Sequence, residues 1–517
     1  MVCNRFAGRA SKAGYKPALR PGGGVKLRPT ECARLKKIWR WRAEPANFPA
    51  TDTTMKTALL TGLGGLTLLL TSCATAPHAG GTPPVHWIAS TQSAPWHEET
   101  VVAEPENAAG SNVLTLDAGV TFQTMDGFGG CFNDLGWQAL KTLDEPRRAE
   151  ALQALFGPDG CRFNLGRAPI GANDFALAWY SLDETPGDYA LKDFSIERDR
   201  RELIPFMQAA MKYQPKLGVW GVPWSPPSWM KTNGQYQGGR MKQDPQTLAA
   251  YAEYFSKYVR AYRAAGIRLY AIMPQNEPVY NNNVYPQCVW SGAELDGFMR
   301  DYLAPQLRRD GVRVQLWHGT LPTPPYEMVQ AVLGDPVTRP LVTGVAFQYG
   351  GQKLLRRTHD DYPEQKLMQG ETECYGGENT WSEGLTTFRN IIEDTRNFAG
   401  SYFFWNLVLN ETGRSTWNWR QNSLITVDRP TQTVRYNPEF YAMKQFSAAV
   451  APGAKRIAVS GGPFQNVVAF LNPSGGRVLV FENEADQPVD AELAAAGAHW
   501  RLTVPARSMN TVTFARP

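Results

Sequence analysis

Histidine and cysteine are scarce in this sequence. Its 517 residues include six His and seven Cys, and none of them forms an HExxH or CxxC pattern. The sequence therefore gives no indication of a metal site or a redox-active dithiol. A GxSxG motif is also missing, which argues against a serine hydrolase. The residue types that remain for chemistry are carboxylates, amides and aromatic rings, among them 16 Trp.

The excess of basic over acidic residues is confined to the first part of the chain. The formal net charge is +5, but residues 1–54 carry twelve Lys or Arg against three acidic residues. From residue 57 onward the net charge is −5. The body of the chain therefore gives no electrostatic indication of nucleic-acid binding.

Long apolar runs are missing except for one near the N-terminus. Residues 57–70 form an uncharged, apolar run that follows Met55-Lys56 and ends at Leu70-Thr71-Ser72-Cys73. This layout is typical of a secretory signal peptide, and the run is too short to span a bilayer as a mature helix. The last four residues resemble a bacterial lipobox, in which the cysteine carries a lipid.

This layout predicts an exported protein of the bacterial cell envelope, periplasmic or on the outer surface. We expect residues 55–73 to be a lipoprotein signal peptide, with membrane contact only through a lipid anchor at Cys73. Residues 1–54 are interpreted as a spurious or disordered N-terminal extension, and residues 74–84, rich in Ala, Pro, Gly and Thr, as a flexible tether.

The cysteines in the body of the chain do not define a disulfide pattern. They are widely separated, at Cys131, Cys161, Cys288 and Cys374. Disulfides occur in exported proteins, and free buried thiols are the alternative. The spacing favours neither.

Short apolar runs alternate with amphipathic stretches in the middle of the chain, which predicts an α/β fold. The eight runs are Gly127–Phe132, Arg162–Ile170, Leu217–Val222, Arg268–Met273, Val312–Trp317, Leu341–Phe347, Lys366–Gly370 and Ser401–Trp405. Eight strand–helix units indicate a (β/α)8 TIM barrel over residues 126–450. Strand patterns in residues 451–517 predict an attached small β-sandwich, which the strands in residues 85–125 are expected to join.

A glutamate stands at the predicted end of the fourth barrel strand. Residues 269–273 run into Pro-Gln-Asn-Glu-Pro at 274–278, where Pro278 prevents the strand from continuing. Catalytic groups of such barrels lie at the C-terminal ends of the strands. In glycoside hydrolysis the amide of Asn276 could bind a ring hydroxyl while Glu277 protonates the leaving oxygen. A turn residue without a catalytic role is the alternative.

A second carboxylate is expected on another strand end. Residues 366–370 lead into Glu371-Thr372-Glu373. Because side chains alternate along a strand, register alone does not choose between Glu371 and Glu373, and both also resemble loop or helix-capping residues. The fourth and seventh strands lie nearly opposite across a barrel mouth. Two carboxyls about 5–5.5 Å apart there would support a retaining mechanism, and roughly 6.5–9.5 Å would predict inversion.

Five strings, in order along the chain, resemble glycoside hydrolase family 30, which includes lysosomal glucosylceramidase. They are Gly127-Phe128-Gly129-Gly130; Gly166-Arg167-Ala168-Pro169-Ile170 with Asn173-Asp174-Phe175; residues 223–234, which begin Pro223-Trp224-Ser225-Pro226; Gln275-Asn276-Glu277-Pro278; and Trp405-Asn406-Leu407. The resemblance covers Asp126 to the C-terminus. It implies a barrel with an attached sandwich and retaining hydrolysis of β-linked sugars.

The resemblance also implies roles for single residues. Glu277 corresponds to the acid/base and Glu371 to the nucleophile, although the spacing to Trp381 would favour Glu373 instead. The implied substrate contacts are Arg167, Asp174, Trp224, Asn276, Trp405 and Asn422. The alternatives are packing for the two Trp residues and, for Arg167, orientation of the nucleophile or a buried ion pair with Asp174.

One string departs from the family pattern. Where glucosylceramidase has His-Trp-Tyr near the end of the sixth strand, this chain has Phe347-Gln348-Tyr349. A Gln side chain does not titrate near neutral pH as His does. We therefore expect different hydrogen bonding around the site, and ceramide specificity does not follow from the resemblance.

The sequence thus predicts a retaining β-glycosidase acting on a β-linked glycoside or glycolipid, with glucosylceramide or a β-glucan as candidates. It needs no cofactor, because both half-reactions are acid–base chemistry at one carbon. One alternative is an endo-acting xylanase or β-1,6-glucanase of the same fold. The other is a surface lipoprotein that binds glycans without cleaving them, which two opposed glutamates argue against. Exo or endo action and the oligomeric state stay open.

Overall fold

The computed structural model describes residues 85–104, 113–323, 325–372, 374–495 and 497–516. The predicted signal peptide, the tether and Cys73 lie outside the described residues, and so does Glu373. Among the helices of the described ranges, none is both long and apolar enough to cross a membrane.

Eight parallel strands close into a barrel in the order in which they occur along the chain. They are Gly127–Cys131, Leu165–Pro169, Gly218–Val222, Leu269–Ile272, Gln315–Leu321, Gly344–Gln348, Lys366–Glu371 and Ala399–Asn406. The eighth strand pairs with the first, where Ser401 lies beside Gly127. The predicted TIM-barrel fold class is therefore confirmed.

Close approach of the backbones explains why the first strand is rich in glycine. A methyl group added at Gly129 would overlap the carbonyl of Leu165 in the neighbouring second strand. All five residues of the first strand are buried, since one face meets the barrel interior and the other meets the surrounding helices. Glycine here lets the two strands approach closely enough for the barrel to close.

Helices and short helical turns surround the barrel. The α-helices are Asp134–Lys141, Glu145–Phe156, Leu203–Tyr213, Pro245–Ala264, Gly292–Gly297, Ala304–Arg309, Glu327–Leu333, Leu355–Asp361, Trp381–Arg396 and Pro438–Ser447, with a π-helical stretch at Phe298–Leu303 and 3-10 turns at Ser228–Met230, Arg339–Leu341 and Tyr349–Leu354. The helix Pro245–Ala264 shows how the sequence sets such an element. Asp244 accepts a hydrogen bond from the Thr247 N–H at 2.9 Å, and proline occupies the first turn.

The attached β-domain contains strands from both ends of the described chain. They are Val85–Ser90, His97–Glu99, Val102–Glu104, Val113–Thr124, Lys455–Ser460, Val467–Leu471, Arg477–Asn483, Val489–Ala495, Ala498–Val504 and Ser508–Phe514. The first strand pairs with the last, so that Trp87 lies opposite Val512. Trp87, Phe481 and Trp500 share one hydrophobic core although their strands are not neighbours. The strands therefore fold over that core as a sandwich.

The sandwich is fixed against the barrel by a buried carboxylate. Arg389, in the helix Trp381–Arg396, donates two hydrogen bonds of 3.0 Å to the two oxygens of Glu482. The Glu482 side chain is fully buried. A two-point Arg–carboxylate pair specifies orientation as well as contact. A separate three-stranded sheet, Val408–Asn410, Ile425–Asp428 and Thr433–Tyr436, follows the last barrel strand.

The four cysteines of the described residues are free buried thiols. The sequence left disulfides and free thiols open, and the structure shows free thiols at Cys131, Cys161, Cys288 and Cys374.

Candidate active site

Arg167 and Glu371 form a buried ion pair at the barrel mouth. Arg167 lies in the second barrel strand and Glu371 is the last residue of the seventh. One terminal nitrogen of Arg167, Nη1, donates to Glu371 Oε2 and, at 3.2 Å, to the Gly370 carbonyl. The other, Nη2, donates to Asn276 Oδ1 at 2.6 Å. Arg167 therefore pairs with Glu371 and not with Asp174, so it is placed to orient the Glu371 carboxylate.

Two consecutive residues at the end of the sixth strand also hold Glu371. The Gln348 amide donates to Glu371 Oε2, and the Tyr349 hydroxyl donates to Oε1. Burial and the nearby charge of Glu371 raise the pKa of Tyr349, so this hydroxyl stays protonated and remains a donor. Both oxygens of Glu371 are therefore fixed by hydrogen bonds.

Glu277 follows the fourth strand in a turn that neighbouring strands hold in place. Its φ of 46° lies in the left-handed region, which residues other than glycine rarely adopt. The Glu277 N–H donates to the Thr320 carbonyl at 3.0 Å, and the Asn276 N–H donates to the Pro223 carbonyl at 2.8 Å. The third and fifth strands thus fix the turn, and strained backbone of this kind is concentrated at functional sites.

The environment of the Glu277 side chain favours its protonated form. The residue is 5 % exposed. Burial raises the pKa of Glu277, and the charge of Glu371 raises it further. The Tyr285 hydroxyl donates to Glu277 Oε2 at 3.0 Å and opposes these effects. The net pKa is raised well above the usual value, so Glu277 keeps its proton to higher pH than an exposed glutamate and can act as a proton donor.

The side chains of Asn276 and Asp174 each present an unpaired polar atom. Asn276 Oδ1 accepts hydrogen bonds from Arg167, Thr320 and Gln348, and these bonds fix the orientation of the amide. The amide nitrogen, Nδ2, has no hydrogen-bond partner in the described structure. Asp174 Oδ1 likewise has no hydrogen-bond partner among the described residues. Burial, and then the charge of Glu371, raise the pKa of Asp174. Since buried polar atoms are normally paired, these two atoms are suited to a polar ligand.

Trp224 and Trp405 pack around the arginine. Their ring centroids lie 5.1 Å apart, and the Arg167 guanidinium carbon is 4.5 Å from the Trp224 ring and 5.2 Å from the Trp405 ring. Both indoles are almost fully buried. They therefore hold the cation through cation–π contacts and packing, while contact with a sugar stays a prediction.

Asn422 is the one predicted substrate contact that the structure does not bring to this cluster. Its Nδ2 donates to Glu439 at 2.5 Å and to Glu383 at 3.2 Å, and its Oδ1 accepts from the Gly377 N–H at 2.7 Å. These bonds link the helices Trp381–Arg396 and Pro438–Ser447 and leave the amide little capacity to bind a sugar. Sequence order alone gave no sign of these partners.

Sequence reasoning placed Gln348 and Tyr349 near the site, through their departure from the family pattern, but it did not predict their hydrogen bonds to Glu371. It missed Tyr285 altogether. Tyr285 lies in a loop eight residues after Glu277, where no pattern indicated a contact.

Comparison with known proteins places this geometry in a family. A profile of the glycosyl hydrolase family 30 TIM-barrel domain matches residues 125–450, and a profile of the family 30 β-sandwich domain matches residues 453–512. Lysosomal acid glucosylceramidase of Mus musculus is 30% identical over 452 residues, which cover 81% of this chain and 87% of that protein. Endo-1,6-beta-D-glucanase neg1 of Aspergillus fumigatus is 29% identical over 428 residues, covering 75% and 84%.

A solved structure shows the same fold. The crystal structure of SrfJ from Salmonella typhimurium superposes with a TM-score of 0.77 at 24% identity, covering 84% of this chain and all of that one. The two family profiles together match well over half of the chain. The protein belongs to glycosyl hydrolase family 30 and is a glycosidase.

Proposed function

We propose that the protein hydrolyses β-glucosides with retention of configuration, with Glu371 as nucleophile and Glu277 as acid/base. The observation that carries this proposal is the difference between the two carboxyl environments. Glu371 is paired with the Arg167 cation and oriented by two further donors. Glu277 is buried against a tyrosine hydroxyl and has a raised pKa. One group is thus suited to attack carbon and the other to supply a proton.

In the first step a Glu371 oxygen bonds to the anomeric carbon while the bond to the leaving oxygen breaks. The Glu277 proton passes to that oxygen, and a glycosyl ester on Glu371 remains. Formation of the ester removes the negative charge that raises the pKa of Glu277. Glu277 therefore becomes a better base at the moment when a base is needed.

In the second step water attacks the same carbon from the side that the leaving group has vacated. Glu277 takes a proton from the water, and the ester bond to Glu371 breaks. Both side chains return to their starting protonation states. The sugar leaves with the configuration that it had in the substrate.

Hydroxyl recognition is assigned to the unpaired atoms beside these carboxyls. Asn276 Nδ2 can donate to the 2-hydroxyl, and Asp174 Oδ1 can accept from a hydroxyl on another ring carbon. Buried polar atoms of this kind reject a sugar that lacks the matching hydroxyl, because they would then stay unpaired.

Glucosylceramide and a β-1,6-glucan are the two substrates that the relatives support, since one relative is a glucosylceramidase and another an endo-1,6-β-D-glucanase. Release of glucose or oligosaccharides from each substrate, measured side by side, would choose between them. Products longer than one sugar unit would establish endo action.

A trapping experiment tests the mechanism. The purified protein is treated with 2-deoxy-2-fluoro-β-glucosyl fluoride, digested and analysed by mass spectrometry. We expect a stable adduct on Glu371. An adduct on Glu373 would move the nucleophile by two residues. Activity on another β-glycoside without any adduct would refute glucoside specificity, and inactivity on all glycosides would favour a glycan-binding protein.

We also propose that the protein is exported and anchored to the cell envelope through a lipid on Cys73. The proposal rests on the apolar run at residues 57–70 and the Leu-Thr-Ser-Cys string that follows. Metabolic labelling with a fatty-acid probe tests it. Cys73→Ser should abolish labelling, and labelling of that variant at the wild-type level would refute the assignment.

A further inference from the structure

Two aromatic rings form a platform beside the proposed acid/base. The Tyr285 hydroxyl bonds to Glu277, and the Tyr285 ring lies 5.3 Å from the Trp419 ring with 39° between their planes. Tyr285 is 8 % exposed, whereas Trp419 is 38 % exposed. Tyr285 therefore contacts both the buried carboxyl of Glu277 and the solvent-exposed indole of Trp419.

Hydrogen bonds hold the backbone that carries this indole. The backbone N–H of Trp419 donates to Ser415 Oγ at 2.9 Å, and the Ser415 N–H donates to the Trp419 carbonyl at 2.7 Å. Trp417, two residues earlier, packs its ring 5.5 Å from that of Trp179 in the loop after the second strand. The segment between Asn410 and Ile425 therefore presents Trp419 from a braced turn, so little ordering is needed when a ligand binds.

The residues that precede Tyr285 in the sequence are mostly polar. Residues 281–283 are three consecutive Asn, of which Asn281 and Asn283 are exposed. Val284 is exposed beside them, but as a single aliphatic side chain. An aromatic face packs against the C–H groups of a sugar ring, and amides bond to its hydroxyls. A lipid chain would instead require a continuous apolar surface.

We propose that Trp419, braced by Tyr285, binds the leaving group and selects glycosides whose leaving group is itself a pyranose ring. The inference rests on the proposed function, in which Glu277 protonates the leaving oxygen. The group attached to that oxygen must extend outward from Glu277, because the carboxyl itself is buried. The platform occupies the solvent side of Tyr285, which contacts Glu277 directly.

Three β-glucosides with different leaving groups test the inference on the full-length enzyme. They are gentiobiose, whose leaving group is a sugar ring; octyl glucoside, whose leaving group is an alkyl chain; and glucosyl fluoride, whose leaving group has no ring and needs no proton from Glu277. Trp419→Ala should lower kcat/KM for gentiobiose roughly ten-fold, through loss of the stacking face. The rate on glucosyl fluoride should stay within about two-fold.

Two further variants serve as controls. Trp419→Phe keeps an aromatic face and should recover most of the gentiobiose activity. Phe122→Ala removes another exposed aromatic ring, from the β-domain, where Phe122 is 37 % exposed, and should leave all three rates unchanged.

The remaining outcomes each overturn a different statement. An equal fall on gentiobiose and fluoride would show a structural role for Trp419, and an unchanged gentiobiose rate would show no role in the leaving-group site. A larger loss on octyl glucoside would assign the platform to an alkyl chain. If the wild-type enzyme hydrolyses no glucosyl fluoride, the proposed glucosidase function itself fails.

Discussion

Replacing Tyr285 by Phe should move the alkaline limb of the pH–activity profile to higher pH. Tyr285 donates a 3.0 Å hydrogen bond to Glu277 and thereby stabilises the charged form of that carboxyl. Without the hydroxyl, burial and the charge of Glu371 act unopposed, and the already raised pKa of Glu277 rises further. The enzyme needs protonated Glu277 for the first step, so activity should persist to higher pH.

The size of this shift follows from the hydrogen bond. A bond to a charged group contributes about 1.5–3 kcal/mol, and one pKa unit corresponds to about 1.4 kcal/mol. Water can replace part of the lost bond, because Tyr285 is 8 % exposed. The lower end of this free-energy range corresponds to about one pKa unit. We therefore expect the alkaline limb to shift by about one pH unit.

The assay is kcat/KM for an aryl β-glucoside from about pH 4 to pH 9, since this parameter reports the ionisation of the free enzyme. Tyr280→Phe is a matched control, because Tyr280 is near Glu277 but its hydroxyl is not bonded to it. A limb that stays in place, or one that moves to lower pH, would refute the assignment of Glu277 as the acid or of Tyr285 as its donor.

Three further predictions concern the same cluster. Glu277→Gln should nearly abolish turnover of glycosides with poor leaving groups while sparing activated aryl glycosides; equal loss on both would contradict the acid/base role. Arg167→Met leaves Glu371 buried without its cation, so the free energy of unfolding in urea should fall by about 3–5 kcal/mol, and a fall below about 1 kcal/mol would contradict a buried ion pair. Gln348→Leu removes a donor to Glu371 and only the longest of the three hydrogen bonds to Asn276, so activity should fall by a similar factor on a glucoside and on its 2-deoxy analogue, whereas a much larger fall on the glucoside would show that Gln348 controls 2-hydroxyl recognition.

The barrel could be predicted from the sequence because its strands are buried on both faces. Such strands appear as short apolar runs, and the structure has a strand within or overlapping each of the eight runs. The strand Val489–Ala495 has little strand signal in the sequence, because three of its seven residues are alanine and two are acidic, which are residues of low strand propensity. Its pairing with Ala498–Val504 and with Val113–Thr124 outweighs that preference.

Site residues could be predicted only where a strand end or the family resemblance indicated them. Both indicated Glu277, whereas strand ends left Glu371 and Glu373 open and the resemblance favoured Glu371. The structure brings Glu277 and Glu371 together with Arg167. The hydrogen bonds of Asn422 and the contact of Tyr285 with Glu277 depend on loops that meet only in the folded chain. No local pattern encodes such contacts, so the sequence indicated neither of them.

The pairing of Val85–Ser90 with Ser508–Phe514 has a consequence for biosynthesis. The strand Ser508–Phe514 lies between Val85–Ser90 and Arg477–Asn483, so Val85–Ser90 has no complete sheet to join until Ser508–Phe514 has been made. A chain that stops before Ser508 would expose the edge of Arg477–Asn483 and the apolar side of Trp87. Such a chain should be more open to proteolysis than the folded protein.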